Sequence, residues 1–139
     1  MAKTPSPAKP IVLIVDDDPG IRRVMRRLIE RHYIAKVIEA GDGFTALDQF
    51  ALMNVSLVIT DCVMPGLDGF ELTIRLRGQR SFDALPIIFC SGRSGAAGRA
   101  AAAEAGSTSF LAKPFEPVDL YERLDPYLSK SSSAARRRA

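Results

Sequence analysis

Asp16, Asp17 and Asp18 stand together directly after the apolar run Ile11–Val15. Asp61 stands in the same relation to Leu57–Thr60, Ser91 to Pro86–Cys90, and Lys113 to Ser109–Ala112. Adjoining carboxylates repel one another and are costly to keep charged. A hard divalent cation relieves that repulsion, and Mg²⁺ takes one or two carboxylates, keeps waters and binds phosphate oxygens. A lysine and a hydroxyl suit the remaining oxygens of a phosphoryl group. One aspartate could then be the nucleophile that becomes an aspartyl phosphate. The set points to metal-assisted phosphoryl transfer to a carboxylate. Each residue alone has a plainer use, since an Asp after a strand often caps a helix and a Lys is often a solvated charge. Their recurrence at the ends of successive apolar runs carries the chemical reading.

The elements that must position these residues alternate. Ile11–Val15 reads as a buried strand. Ile21, Val24, Met25, Leu28 and Ile29 then fall on one face of a helix, with Asp18 as N-cap and Pro19 at the first position. Arg22, Arg23, Arg26, Arg27 and Arg31 lie opposite and are expected to be solvated. Ala35–Ala40 is a weaker strand. Asp42 is placed to cap a helix over Gly43–Leu52 with Phe44, Leu47 and Ala51 inward. Leu57–Thr60 is a strand, and Pro65-Gly66 marks a turn in the loop after it. Phe70, Leu72, Ile74 and Leu76 alternate with polar residues, which by periodicity alone is a strand. Pro86–Cys90 and Ser109–Ala112 read as strands, Gly95–Ala105 as an Ala-rich helix weakened by Gly95 and Gly98, and Glu116–Leu128 as a helix. Strands alternating with helices imply a parallel sheet covered on both faces. Functional groups then collect at the carboxyl ends of the strands, where the acids, Ser91 and Lys113 lie.

Asp16-Asp17, Asp61 followed by Met64-Pro65-Gly66-Leu67-Asp68-Gly69, Ser91-Gly92, and Lys113-Pro114-Phe115 together resemble the receiver domain of bacterial two-component response regulators. The resemblance covers about residues 11–128. It implies an α/β, flavodoxin-like, doubly wound sheet of five parallel strands in the order 2-1-3-4-5 with five helices, and a helix rather than a strand over Gly69–Arg77. It further implies that Asp61 accepts a phosphoryl group from a histidine kinase or histidine phosphotransferase. Mg²⁺ would be bound by Asp17, by Asp16 directly or through water, by Asp61, and by the backbone carbonyl of Val63. Lys113 would pair with the phosphoryl oxygens. Ser91 would move toward them, and Phe110, at the aromatic switch position, would turn inward in response. Such a protein assists its own phosphorylation and dephosphorylation but turns over no substrate. In this family the residues two after the phosphoacceptor and two after the switch hydroxyl, here Val63 and Arg93, influence hydrolysis. Val63 cannot orient a water, so slow self-dephosphorylation is expected. The first helix is where such a domain commonly docks its kinase, and its arginines suit an acidic partner.

Two rival readings remain at this stage. Gly41-Asp42-Gly43-Phe44-Thr45-Ala46 matches G-x-G-x-x-A at a strand-to-helix turn, with Asp61 twenty residues beyond Gly41, as in a dinucleotide-binding domain. The turn would, however, follow the second strand rather than the first. Asp16-Asp17-Asp18 also contains the D-x-D element of a haloacid dehalogenase-like phosphatase. That family needs a further acid pair at a strand end after the lysine, and Glu116, Asp119, Glu122 and Asp125 all fall in the last helical segment.

The 139 residues are enough for one domain, and the hydrophobic share of 47% is enough for a core. The longest apolar run, Ile11–Val15, is too short for a membrane span or the hydrophobic stretch of a signal peptide. Cys62 and Cys90 make neither a disulfide scaffold nor a zinc cluster, and Cys62 has no evident base to activate it. A cytoplasmic protein with no membrane association is expected. The net charge of +3 is uneven. Removing the two basic residues of Met1–Pro10 and the four of Lys130–Ala139 from the 19 leaves 13 against 16 acidic ones in Ile11–Ser129. Residues 1–10 and 129–139 read as solvated tails around a mildly acidic domain, so overall charge gives no argument for nucleic acid. Eleven residues after Leu128 cannot hold a DNA-binding domain, so a stand-alone receiver, or one cut from a longer chain, that signals by docking to a downstream protein is expected. A fourth helix poor in charge suggests a monomer or weak dimer.

Overall fold

The computed structural model describes residues 8–81, 84–92 and 96–132. Arg93, Gly95 and the arginine run at residues 136–138, all singled out above, lie outside the described residues. The elements run β1 (Ile11–Val15), α1 (Pro19–His32), β2 (Lys36–Ala40), α2 (Gly43–Leu52), β3 (Val55–Thr60), α3 (Gly69–Arg77), β4 (Ile87–Ser91), α4 (Ala96–Ala105), β5 (Ser109–Ala112) and α5 (Pro117–Leu124). The five strands are parallel in the order β2-β1-β3-β4-β5, the order that the resemblance implied.

Alternation along each strand divides the core in two. Leu13, Val15, Val58, Ile87 and Phe89 face a cluster completed by Ala46 and Phe50 of α2, Leu72 and Leu76 of α3 and Ala102 of α4. Val12, Ile14, Leu57, Ile59, Ile88, Cys90 and Leu111 face the other side, where Met25 and Ile29 of α1 and Leu120 and Leu124 of α5 cover them. Both faces of the central strands are therefore dry, which is why they read as unbroken apolar runs rather than alternating ones.

The segment 69–77 is a helix, as the resemblance implied and against the two-residue periodicity, and Asp68 caps it by accepting from the Glu71 N–H at 2.9 Å. Leu72, Thr73 and Leu76 are buried while Ile74 is exposed, so the apparent alternation was an accident of composition. In α2 the buried residues are Gly43, Ala46 and Phe50, with Leu47 packed against the same cluster as expected, whereas Phe44, 56% exposed, and Ala51 face outward. A Cβ on Gly43 would lie 2.6 Å from the Leu67 carbonyl oxygen, so the helix seats its glycine against the loop between β3 and α3, and this face rather than that of Phe44 is the inward one. In α1 Val24 is exposed. Two of the five arginines are paired rather than free on a solvated face: Arg22, largely shielded, and the more exposed Arg26 both pair with Glu39 of β2. Beyond α5, residues 129–131 pair with the end of α1, Ile34 N–H donating to the Ser129 carbonyl at 2.8 Å and Ser131 N–H to that of His32 at 3.0 Å.

Candidate functional site

Register brings the strand-end residues together. Val15 is paired with Thr60, so the residues that follow, Asp16 and Asp61, leave the sheet side by side. Ser91 is paired with Ala112, so Lys113 follows directly beside it, its N–H donating to the Ser91 carbonyl at 2.9 Å. Carboxylate oxygens of Asp16, Asp17 and Asp61 lie within 4.8 Å of one another. Lys113 Nζ is 2.7 Å from Asp16 Oδ2 and 3.4 Å from Asp61 Oδ2. Asp16 is buried, Asp61 half-buried and Asp17 exposed, so the cluster opens to solvent on one side. Ser91 is buried at the end of β4. Val63 lies two residues beyond Asp61 with its side chain exposed.

The acids are held by the backbone. Asp16 Oδ1 accepts from the Asp18 N–H at 2.9 Å, and Asp61 Oδ1 accepts from the Cys62 N–H at 2.7 Å. Asp18 itself caps α1, its Oδ1 accepting from the Gly20 N–H at 2.8 Å. Gly69, the first residue of α3, donates to the Cys62 carbonyl at 2.9 Å. A Cβ on Gly69 would fall inside the Asp61 carbonyl, so only glycine lets α3 start this close to the acid. Gly66 has φ +76° in the same loop, a conformation that glycine adopts without strain.

For Lys113, burial works against the charged form. The Asp16 hydrogen bond and the charges of Asp16 and Asp61 outweigh it and hold the ammonium above its ordinary pKa. Burial pushes the Cys90 thiol up to about 12; Lys113 opposes that shift, while Asp16 and Asp61 add to it. Cys90 is a structural thiol.

Three carboxylates converging on a partly open site are a donor set suited to a hard cation such as Mg²⁺. Phe110 is already in the core, 9% exposed, with the Arg99 guanidinium 5.1 Å from its ring centre. The expected inward turn therefore does not start from this conformation. Three contributors were missed from sequence. Arg22 Nη1 donates to the Asp16 carbonyl at 2.6 Å, Arg123 Nε donates to the Phe110 carbonyl at 2.9 Å, and Thr60 Oγ1 donates to the Asp61 carbonyl at 3.0 Å. Arg22 and Arg123 act across elements, and no local spacing announces them.

The structure gives the rival readings nothing to stand on. Gly43 of the G-x-G-x-x-A segment packs against Leu67, and Asp42 caps α2 by accepting from the Thr45 N–H at 2.8 Å, so the turn is a helix start after the second strand. Asp119 and Glu122 sit within α5 and Asp125 at its end, not at the end of a strand as the phosphatase would need.

The sequence pattern of the response regulator receiver domain matches residues 12–125. The chain is 35% identical over 114 residues to the response regulator Rre1 of Synechocystis, covering 81% of this chain and 49% of that protein. It is 33% identical over 122 residues to a chemotaxis protein CheY homolog of Campylobacter jejuni, covering 87% of this chain and 94% of that one. Among solved structures it is similar to the chemotaxis protein CheY4 of Vibrio cholerae, with a TM-score of 0.79 at 29% identity, covering 87% of this chain and all of that one. The chain spans half the length or less of three of the curated relatives it matches, Rre1 among them. Fold, register and these likenesses agree: the chain belongs to the receiver domain family of two-component response regulators, whose mechanism is phosphorylation on an aspartate.

Proposed function

We propose that Asp61 is the phosphoacceptor and that a histidine kinase or histidine phosphotransferase is the donor. The observation that carries this is the placement of Lys113 Nζ beside both Asp16 and Asp61, with the three carboxylates within 4.8 Å. Asp16, Asp17, Asp61 and the Val63 carbonyl are the groups that would hold Mg²⁺. When bound, the ion neutralises the charge that otherwise keeps a phosphoryl group away from these acids.

An Asp61 oxygen forms the new bond to phosphorus, the P–N bond of the donor phosphohistidine breaks, and the imidazole leaves. The Cys62 N–H fixes the carboxylate plane for this attack. Lys113 pairs with the incoming oxygens, which relieves its competition between two acids. Ser91 then moves toward the phosphoryl group, and the shift consolidates the inward Phe110 as a population change at the surface of α4, β5 and α5. The domain thus assists its own phosphorylation and dephosphorylation without a turnover substrate.

A groove of about 700 Å³ between α1 and the loop before α5 is lined by Ile21, Val24, Leu28, Phe115 and Pro117 and reaches Lys113. Its place beside the site, and exposed Arg23, Arg27 and Arg31 on the same helix, suit a donor that presents an apolar helix with acidic flanks. The receiver unit in this reading is residues 11–128, with residues 129–131 of the C-terminal segment 129–139 pairing back onto the end of α1 and residues 1–10 as the N-terminal segment. It works in the cytoplasm, where such kinases present their phosphohistidines, as a monomer or weak dimer. No helix among the described residues is long and apolar enough to cross a membrane. Labelling by acetyl phosphate or by a kinase panel, with Mg²⁺, tests the proposal. Loss of label in Asp61→Ala is expected, and undiminished label in that variant would end it.

A further inference from the structure

Asp16 is gripped at four points. Its N–H donates to the Ala40 carbonyl at 3.1 Å, its Oδ1 accepts from the Asp18 N–H and its Oδ2 from Lys113. The fourth contact is Arg22 Nη1 on its carbonyl oxygen, at 2.6 Å. That carbonyl lies beyond the last strand pair of β1 with β2, Val15 with Ala40, so the sheet does not hold it. It also belongs to the peptide unit that leads into Asp17. Whatever fixes this plane fixes the direction in which Asp17 leaves the chain.

Arg22 is itself anchored. Its Nε donates to Glu39 Oε1 at 3.1 Å, and Glu39 Oε2 accepts from Arg26 Nη1 at 2.9 Å. The guanidinium lies against the turn after β2, close enough that a Cβ on Gly41 would be 3.5 Å from Nη1. The side chains of Arg22 and Glu39 are only 19% and 25% exposed, so water competes weakly for the contact. A planar fork is needed, because one nitrogen serves a carboxylate on β2 and another serves a carbonyl at the end of β1.

We infer that Arg22 is a positioning residue for the cation site: it aligns the Asp16–Asp17 peptide, and through it the Asp17 carboxylate, without touching the ion. The inference rests on the proposed role of Asp16, Asp17 and Asp61 as the carboxylates that hold Mg²⁺. Arg26 supplies the internal comparison, since it shares Glu39 and the same charge but does not reach Asp16.

Mn²⁺ affinity, read by electron paramagnetic resonance, tests this, together with the backbone amide resonance of Asp17 in the metal-free protein. R22Q is expected to weaken Mn²⁺ binding roughly tenfold, as is usual when a partner that orients a ligand is lost, and to shift the Asp17 amide. R26Q is expected to leave both at wild-type values. Should R22Q not fold, R22K keeps the charge but cannot serve both acceptors, and is expected to lose affinity on the order of threefold. Unchanged Mn²⁺ affinity in the folded Arg22 variant, or an equal loss in R26Q, overturns the inference while leaving the acid cluster intact as a site. A wild-type protein that binds no Mn²⁺ removes the site itself and the inference with it.

Discussion

Replacing Asp17 by Asn separates what the acid cluster costs the fold from what it provides for a cation. The ligand oxygens of Asp16, Asp17 and Asp61 lie within 4.8 Å of one another. Two unit charges at that separation repel by about 3.5 kcal/mol at an effective dielectric of about 20, and by about 0.9 kcal/mol at about 80. Asp17 is exposed, and Lys113 already offsets part of the charge on Asp16 and Asp61, so the lower figure is nearer. Asp17→Asn is therefore expected to stabilise the metal-free protein by about 1 kcal/mol. Mg²⁺ reverses the order. At roughly 100 times its dissociation constant it stabilises the wild type by about 2.7 kcal/mol, and the variant, short of one carboxylate, by much less. Urea unfolding in EDTA and in Mg²⁺ measures all four quantities. An Asp17→Asn protein less stable than wild type in EDTA would refute the repulsion argument. Equal stabilisation of both proteins by Mg²⁺ would refute the assignment of Asp17 to the cation.

Three further outcomes are expected. Cys90, with its thiol pushed up to about 12 by burial, carries roughly a thousandfold fewer thiolates than an ordinary cysteine near neutral pH, so it should resist alkylation until the protein is unfolded; rapid labelling of the native protein would contradict this. Lys113 is held above its ordinary value of 10.5, so its ion pairs contribute stability that is fully present below that value and lost as pH rises through the higher folded value; Lys113→Met should remove this alkaline loss from the stability profile. Gly69→Ala puts a Cβ into the Asp61 carbonyl, which should cost about 1–3 kcal/mol and slow phosphorylation by acetyl phosphate; a wild-type rate in a variant of wild-type stability would show that the close approach of α3 is not needed.

The site was legible because a parallel sheet makes strand ends visible in one dimension. Val15 and Thr60 are the last residues of two apolar runs, and their pairing alone sets Asp16 beside Asp61. The same holds for Ser91 and Lys113 through the pairing of Ser91 with Ala112. Helix faces were less legible. In α3 the residues at 70, 72, 74 and 76 satisfy a two-residue period, so the helix was legible only through the resemblance, and the Asp68 cap that starts it shows in the structure. In α2 the inward face is set by where Gly43 meets Leu67, a contact made across the chain. Arg22 looked like one of five solvated arginines because its partner Glu39 lies seventeen residues away.

Phe110 shows how the chemical end of the sheet connects with the outer face in the proposed switch. Its backbone is paired with Phe89 in β4 and its carbonyl is held by Arg123 of α5. Arg123 also donates to the Asp119 carbonyl within α5, so β5 and α5 share one clamp. The ring, by contrast, is held by packing and by the Arg99 guanidinium, contacts worth about 0.5–2 kcal/mol each and sensitive to small displacements. A shift of Ser91, two residues beyond Phe89 on β4, would therefore meet a backbone held by strand pairing and by Arg123 and a ring held only by packing and by Arg99. In the proposed switch, the readout of Asp61 chemistry would then run through the Phe110 ring and the α4 surface that Arg99 belongs to.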